Sequence, residues 1–505
     1  MGCLALVGAA YLVTRTRCLT EDSVDYACAV VKGGVAQLLH PHHLLYNPLL
    51  ALISRGFLNG SADPHSLAFL QILNISISLV SLTMLALVLN ELAFSLPIQL
   101  WSILTFAFAH GFWLYSSEIE VYNGATLCLL GATYCLLHET RMGRKSILGP
   151  LFVLLGMLFH QTLIFFCLAL GIHAVATLGP RNSRSRLIRY VGIPLAAVGL
   201  CYVAATLVTT GSMTPHSVLE FMTSYAHSGW WGEFRGNAWW LGLRGLIDSL
   251  LSVEALKRLA ALRPWLVVEI VVAALVPVFL IRATRSLSLD GPRRSCLLLF
   301  GLWFLFHSLF VVWWYPDNIE FWIIPLPAMV VAAATFLEGS WQRRRKEVAA
   351  AVSVLLLFEI LVNASQWRQG CEDTTKDETY AMAVCARAKD SDLVLTTGQG
   401  ALGSWLRYFC SAPVVSIHGY FGMKNPDPDE DIAKRLITAL DRQLRVVVSR
   451  GGRVWIDASL WQGTVTRNRD LAHFNVEEFE AWLRSYTTEE ESVGSDVVVL
   501  LYKGP

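Results

Sequence analysis

Residues 66–90 read SLAFLQILNISISLVSLTMLALVLN, a run without a single charge. A helix needs about 20 mostly apolar residues to cross a bilayer, so this stretch predicts a crossing and sets the class of the chain. Working outward, the same test finds candidates at 97–115, 121–138, 187–208, 264–281, 295–313, 319–337 and 347–365. The apolar run 147–178 is too long for one helix. It predicts two short or tilted crossings, with His160 and Gln161 near the turn. The run from Gly2 to Val13 is short for a span and lacks the basic leader and small-residue cleavage site of a signal peptide. It reads as a shortened first helix whose true start lies upstream.

Composition agrees. Of 505 residues, 54% are apolar and only 16% charged, and the mean hydropathy is +0.48. A soluble globular protein carries about 25% charged residues, so this chain cannot clothe several separate cores in polar surface. Disorder, collagen-like repeats and a basic nucleic-acid-binding protein are excluded. The net charge of +1 selects neither acidic nor basic partners. Seventeen tryptophans and fifteen tyrosines suit a protein that meets two membrane–water interfaces.

Four basic clusters orient the helices: Arg141, Arg144 and Lys145; Arg181, Arg184, Arg186 and Arg189; Arg282, Arg285, Arg293 and Arg294; and Arg343, Arg344, Arg345 and Lys346. They fall on one side if 147–178 crosses twice, and the positive-inside rule makes that side cytoplasmic. About eleven crossings result. The exoplasmic side then receives the loop 15–65, the turn from Ser116 to Tyr122, the loop 209–263, the turn from Trp313 to Asn318 and everything after residue 366.

Beyond Asn363 the pattern changes. Strand-like runs at 392–398, 413–419, 453–459 and 496–504 alternate with amphipathic helical stretches at 429–449 and 476–486, as in a small α/β layer domain. The expected organisation is a polytopic α-helical membrane domain over 1–365 and a soluble exoplasmic α/β domain over 366–505. The turn TTGQGALGSW (396–405) lacks the spacing of a dinucleotide fingerprint and reads as a strand-to-helix turn. Eleven cysteines include no C-x-x-C pair. Cys128, Cys135, Cys167, Cys201 and Cys296 lie in apolar helices as core residues. Two of Cys371, Cys385 and Cys410 are free to pair in an oxidising compartment, the choice being open in the sequence. The sequon Asn59-Gly60-Ser61 also lies on the exoplasmic side.

Four constellations on that side can carry chemistry. TEDSVDY (20–26) offers Glu21, Asp22 and Asp25 just past the first apolar run, where ionisable groups mark a functional site or a solvated helix start. LLHPHHLLYNP (38–48) sets His40, His42 and His43 beside Pro41 and Tyr46. Adjacent histidines diverge, so a loop packed on a phosphate is at least as good a reading as a metal site. FWLYSSEIEVYNG (112–124) carries Glu118 and Glu120, of which only one need face inward, with Tyr115 and Tyr122 as hydroxyl donors. VVWWYPDNIEFW (311–322) holds Asp317, Asn318 and Glu320 among aromatics. The loop 209–263 adds Trp230, Trp231, Trp239, Trp240, Glu233 and Arg235, an aromatic–polar surface that suits a sugar ring or an interface.

The order of these pieces resembles the GT-C superfamily of membrane glycosyltransferases, nearest to a branch of O-mannosyltransferase-like proteins with G-D-S-x-E-L, H-P-P-G-Y-P and A-E-V-Y motifs. Here those motifs read Asp22-Ser23-Val24-Asp25, then His40-Pro41-His42-His43 with Tyr46, then Glu120-Val121-Tyr122. GMLFHQTL (156–163), with His160, is similar to the family's motif at the next exoplasmic turn. The resemblance covers roughly residues 1–180. Glu21 replaces the family glycine, His42-His43 the proline–glycine pair, and Asp25 the second glutamate.

The resemblance implies an enzyme in the cell membrane, in a bacterium the inner membrane with the C-terminal domain periplasmic. Such an enzyme moves a sugar from a polyprenyl-phosphate donor to an acceptor hydroxyl on a protein, lipid or glycan, with inversion. It implies Asp22 as general base, with Asp25 and Glu120 orienting the acceptor. His40, His160 and Arg235 would face the phosphate, and Tyr46, Tyr122 and Asp317 would line the substrate site. No residue set is assigned to a metal, and a divalent cation is the one cofactor left open. Nucleic acid is not an expected partner. The competing readings are a transporter or flippase for a lipid-linked glycan, and a non-catalytic scaffold. Clustering of the acids on one surface, rather than at the midplane of two repeated halves, favours the enzyme.

Overall fold

The computed structural model describes residues 2–16, 18–57, 62–224, 232, 236–262, 291–366, 372–396, 401–417, 432–456, 476–485, 487–492 and 498–503. The expected crossing at 264–281, the side chain of Arg235, the tryptophans 230 and 231, Glu233, Cys371 and the sequon lie outside them. Among the described residues, four helices are long and apolar enough to cross a membrane: Pro64–Glu91, Pro180–Thr210, Arg293–Trp314 and Arg345–Gln366. Gly2–Val13, Leu96–Phe108, Leu148–Phe159, Gln161–Thr177 and Leu326–Trp341 are shorter apolar helices. The result is a mostly helical, multi-pass membrane fold with a small C-terminal α/β region.

The run 147–178 does divide, with His160 at the break. Two other expected spans are interrupted. The stretch 97–115 breaks at Ala109, and Asn363 Nδ2 donates to the Phe108 carbonyl at 2.8 Å beside the break. A freed carbonyl away from water needs such a partner. The stretch 319–337 splits into the short Ile319–Trp322 helix and the Leu326–Trp341 helix, with Pro325 and Pro327 at the junction. Near 190, Pro194 has no N–H for the Tyr190 carbonyl, and the helix takes a π turn over Ile188–Gly192.

The Pro64–Glu91 helix begins where Asp63 accepts from Ser66 N at 2.7 Å and Pro64 occupies the first turn. Its buried polar residues Gln71, Asn74, Ser78 and Ser81 recur at helical spacing and form one stripe. Gln71 donates to Thr16 O and Ser117 O, at 2.9 and 2.7 Å. Asn74 donates to Tyr115 O at 2.7 Å, and Asn123 donates to Ser78 Oγ at 2.8 Å. An otherwise apolar helix thereby holds the loop and turn that carry the acids.

The C-terminal sheet contains β1 (Leu393–Thr396), β2 (Val414–Ser416), β3 (Val454–Ile456), β4 (Thr487–Ser492) and β5 (Val498–Lys503), in the order β2-β1-β3-β5-β4. β1 pairs in parallel with β2 and β3, and β5 antiparallel with β3 and β4. The polar β4, TTEEES, was not among the expected strands; it pairs along its whole length with β5. The Leu402–Phe409 helix turns back onto the Glu21–Lys32 helix. There Lys32 Nζ donates to the carbonyls of Arg407 and Cys410, at 3.0 and 2.7 Å. Cys385 and Cys410 form a disulfide, and Cys18 is also disulfide-bonded.

Candidate active site

Glu118 builds the site without entering it. Its carboxylate accepts from Thr20 N, Thr20 Oγ1 and Ser23 Oγ at 3.0, 2.7 and 2.7 Å. Ser23 Oγ in turn accepts from Ile119 N at 3.1 Å. Thr20 is also the N-cap of the Glu21–Lys32 helix. These bonds staple the helix start to the turn before Tyr122–Met142. Glu118 and Glu120 are both about 1% exposed, so both face protein, and they part company in their partners.

Glu120 points to Asp22 and Glu320. Each of the three offers a carboxylate oxygen, and these oxygens lie within 4.8 Å of one another. Asp22 is the exposed member of this acid cluster; Glu120 and Glu320 are buried. Glu320 is turned inward by Asn318, which donates to Oε1 at 2.8 Å and caps the short helix through Glu320 N at 3.2 Å. Tyr122 donates to Glu320 Oε1 at 3.4 Å. One oxygen of Glu120 is buried with no hydrogen-bond partner.

Burial and mutual repulsion push these acids upward. The Asp22 carboxyl keeps open surface yet stands among densely packed neighbours; that partial desolvation, and then the charge of Asp25, raise it to about 6. Glu320 rises to about 8 through burial and the charge of Asp22. Glu120 rises well above the usual carboxylate range, through burial, then Glu320 and Asp22. At neutral pH, Asp22 is therefore the member of the set that holds a free lone pair facing water. The same oxygens are close enough for a hard divalent cation, which takes carboxylate ligands.

Beside the acids stand four imidazoles. The 40–45 loop is zipped to the break at 158–161: Leu45 N donates to Leu158 O at 2.9 Å, and Gln161 N to His42 O at 3.0 Å. Tyr202 Oη fastens Pro41 O at 2.6 Å. His40 stacks on His43 with ring centroids 4.0 Å apart. His42 lies 6.5 Å from His160, and Tyr122 lies 5.0 Å from His160. Tyr122 thus touches both the acids and the histidines. Burial lowers His40 to about 3, with the charge of His42 adding to it, and lowers His42 to about 4. Both rings are neutral at pH 7 and can each donate one N–H without bringing a cation.

Of the residues expected from the sequence, the structure brings together Asp22, Glu120, Tyr122, His40 and His160. Tyr46 packs behind them, its ring 5.7 Å from that of Tyr26. Two others stand apart from this group. Asp25 is drawn away by Arg407, whose Nη2 lies 2.9 and 3.2 Å from its two oxygens. Asp317 is exposed on the Pro316–Asn318 turn, and Glu320 takes the inward place instead. The signal for Glu320 was the Asn two residues before it, a helix N-cap that aims the following acid.

No protein-family model and no curated protein matches the sequence. The structure does have counterparts. It superposes on the crystal structure of ArnT from Cupriavidus metallidurans in the apo state with a TM-score of 0.60 at 11% identity, over 99% of this chain and 97% of that one. It superposes on the same protein bound to undecaprenyl phosphate with a TM-score of 0.56 at 12% identity, over 99% and 98%. Over nearly its whole length, the chain has the ArnT fold.

Proposed function

We propose that this protein is a GT-C-type glycosyltransferase that takes a sugar from a polyprenyl-phosphate donor and passes it, with inversion, to an acceptor hydroxyl on the exoplasmic side. The observation that carries the proposal is the acid cluster: one exposed carboxylate, two buried acids within 4.8 Å of it, and neutral imidazoles at their side. The ArnT fold, and the undecaprenyl phosphate bound to that protein, support a lipid-phosphate donor.

In this reading Asp22 removes the acceptor proton as the acceptor oxygen attacks the anomeric carbon. A new C–O bond forms there, and the bond to the phosphate oxygen breaks and leaves its electron pair on the departing lipid phosphate. A carboxylate near pKa 6 is a better base than one near 4 and remains ionised at neutral pH. Glu120 and Glu320, held protonated, donate hydrogen bonds to the sugar or acceptor. His40, His42 and His160 donate to the leaving phosphate, where developing charge is best stabilised by fixed donors. A transporter of lipid-linked glycans would use the acid cluster for binding alone.

A radiolabelled transfer assay in lipid, over a panel of polyprenyl-phosphate sugars, decides between them. Asp22→Asn keeps the shape and loses the base, so transfer should fall by about 10²–10⁴ while donor still binds. EDTA should leave the wild-type rate unchanged if the buried acids hold protons. Wild-type rates in Asp22→Asn, or no transfer with any donor beside an active control enzyme, would sink the proposal.

A further inference from the structure

At the far ends of the helices that carry the acid cluster lies a cavity of about 580 Å³. Tyr122–Met142 runs from Tyr122 at the acids to Arg141 at this cavity, about 30 Å away at 1.5 Å per residue. Pro64–Glu91 ends there at Glu91, Ile164–Thr177 ends there at His173 and Thr177, and Gly291–Trp314 starts there at Arg293. This is the end of the bundle that bears the basic clusters.

The cavity has two kinds of wall. Leu92, Leu136, Leu137, Leu178 and Leu299 make one apolar. Among the described residues, Arg141, Arg186, Arg293 and His173 line the other, with the carboxylate of Glu91. Glu91 is spent on Arg141, whose Nε lies 2.7 Å from it. Glu139 is spent on Arg189, at 3.0 Å. Arg186 receives a neutral partner, Thr140 Oγ1 at 3.3 Å. His173 is 6% exposed and bonds Ser295 Oγ through Nε2 at 2.9 Å, while its Nδ1 is buried with no hydrogen-bond partner. A buried nitrogen with no partner is costly unless a ligand completes it.

We propose that this cavity binds the phosphate headgroup of an anionic membrane phospholipid, with Arg186, Arg293 and His173 on the phosphate and the leucine wall along the first part of the acyl chains. The volume is in the range of ligand pockets, about 300–1,000 Å³. Basic pockets between membrane helices at the positively charged end select anionic headgroups. A free phosphate compound would share the arginines but leave the leucine wall against water, which favours the lipid. The site is independent of the transfer reaction proposed above, so neither stands or falls with the other.

Native mass spectrometry of the delipidated full-length protein tests this with phosphatidylglycerol, phosphatidylcholine and inorganic phosphate as probes. Wild type should retain phosphatidylglycerol on the order of tenfold better than phosphatidylcholine. The double variant Arg186→Gln/Arg293→Gln should bring the two lipids level. Leu178→Trp, which fills the cavity and keeps every charge, should weaken phosphatidylglycerol retention as well, and it decides the matter if the double variant does not fold. Arg184→Gln, on the same helix as Arg186 but exposed and outside the lining, should behave as wild type. Unchanged preference in both cavity variants would overturn the site. Displacement of phosphatidylglycerol by millimolar inorganic phosphate alone would overturn the lipid assignment in favour of a soluble phosphate ligand.

Discussion

Asp22 and Asp25 stand three residues apart on one helix and meet different neighbours: Asp22 two buried acids, Asp25 a guanidinium. The proposed base titrates near 6 partly because Asp25 is negative. Transfer by Asp22 requires its ionised form, so kcat/KM should fall as pH drops through that value. Asp25→Asn removes the repelling charge, and that lowers the Asp22 pKa. The acid limb of the pH–rate profile should therefore move to lower pH, with the plateau rate within a few-fold of wild type. A limb that stays in place would remove Asp22 as the titrating group, and a lost plateau would return Asp25 to the chemistry. The sequence shows both acids and the histidines plainly, because short polar runs between apolar helices stand out. It does not show which carboxylate faces which, since that depends on Glu118 reaching across about a hundred positions to Thr20 and Ser23.

Helix existence follows from apolar length, and so the 147–178 pair, the long 64–91 helix and most strands were legible. Helix breaks were less so: Ala109 carries no strong local signal before its tertiary partners are known, and prolines such as Pro325 and Pro327 are equally at home in the first turn of a helix. The Gln71–Ser81 stripe was present in the sequence as a helical period of polar residues, hidden by high mean hydropathy. Close packing was equally hidden. A Cβ on Gly124 would lie 2.6 Å from the Phe159 ring, and one on Gly131 would lie 2.8 Å from the Phe152 ring. The two glycines and the two phenylalanines are each seven apart, so one antiparallel seam joins Tyr122–Met142 to Leu148–Phe159. Small residues in such seams let membrane helices approach. Gly124→Ala should cost about 1–3 kcal/mol by overpacking and displace Phe159, the neighbour of His160. Thermal melting in detergent should fall, and donor KM should rise more than kcat falls. An unchanged melting point would mean that the ring swings aside freely and that the seam does not set the position of His160.

Across the whole molecule, charge and chemistry separate along the helix axes. Arg141, Arg186, Arg293 and the 343–346 run occupy helix ends opposite to Asp22, Glu120 and Glu320. The Cys385–Cys410 disulfide lies on the acidic side, where the Leu402–Phe409 helix bears on the Glu21–Lys32 helix. Stable disulfides belong to oxidising compartments, and basic helix ends belong to the cytoplasm. These two arguments use different residues and predict the same orientation: acid cluster and C-terminal region outside, basic cavity inside. Single cysteines placed at two exposed positions, Asp390→Cys beside the sheet and Arg184→Cys at the basic end, read this directly in a background whose unpaired cysteines are replaced. An impermeant maleimide should label the first in intact spheroplasts and the second only after the membrane is opened. The reverse pattern would put the acid cluster in the reducing compartment. An acceptor on the exoplasmic surface would then be out of reach, and the transferase reading would need a cytoplasmic one.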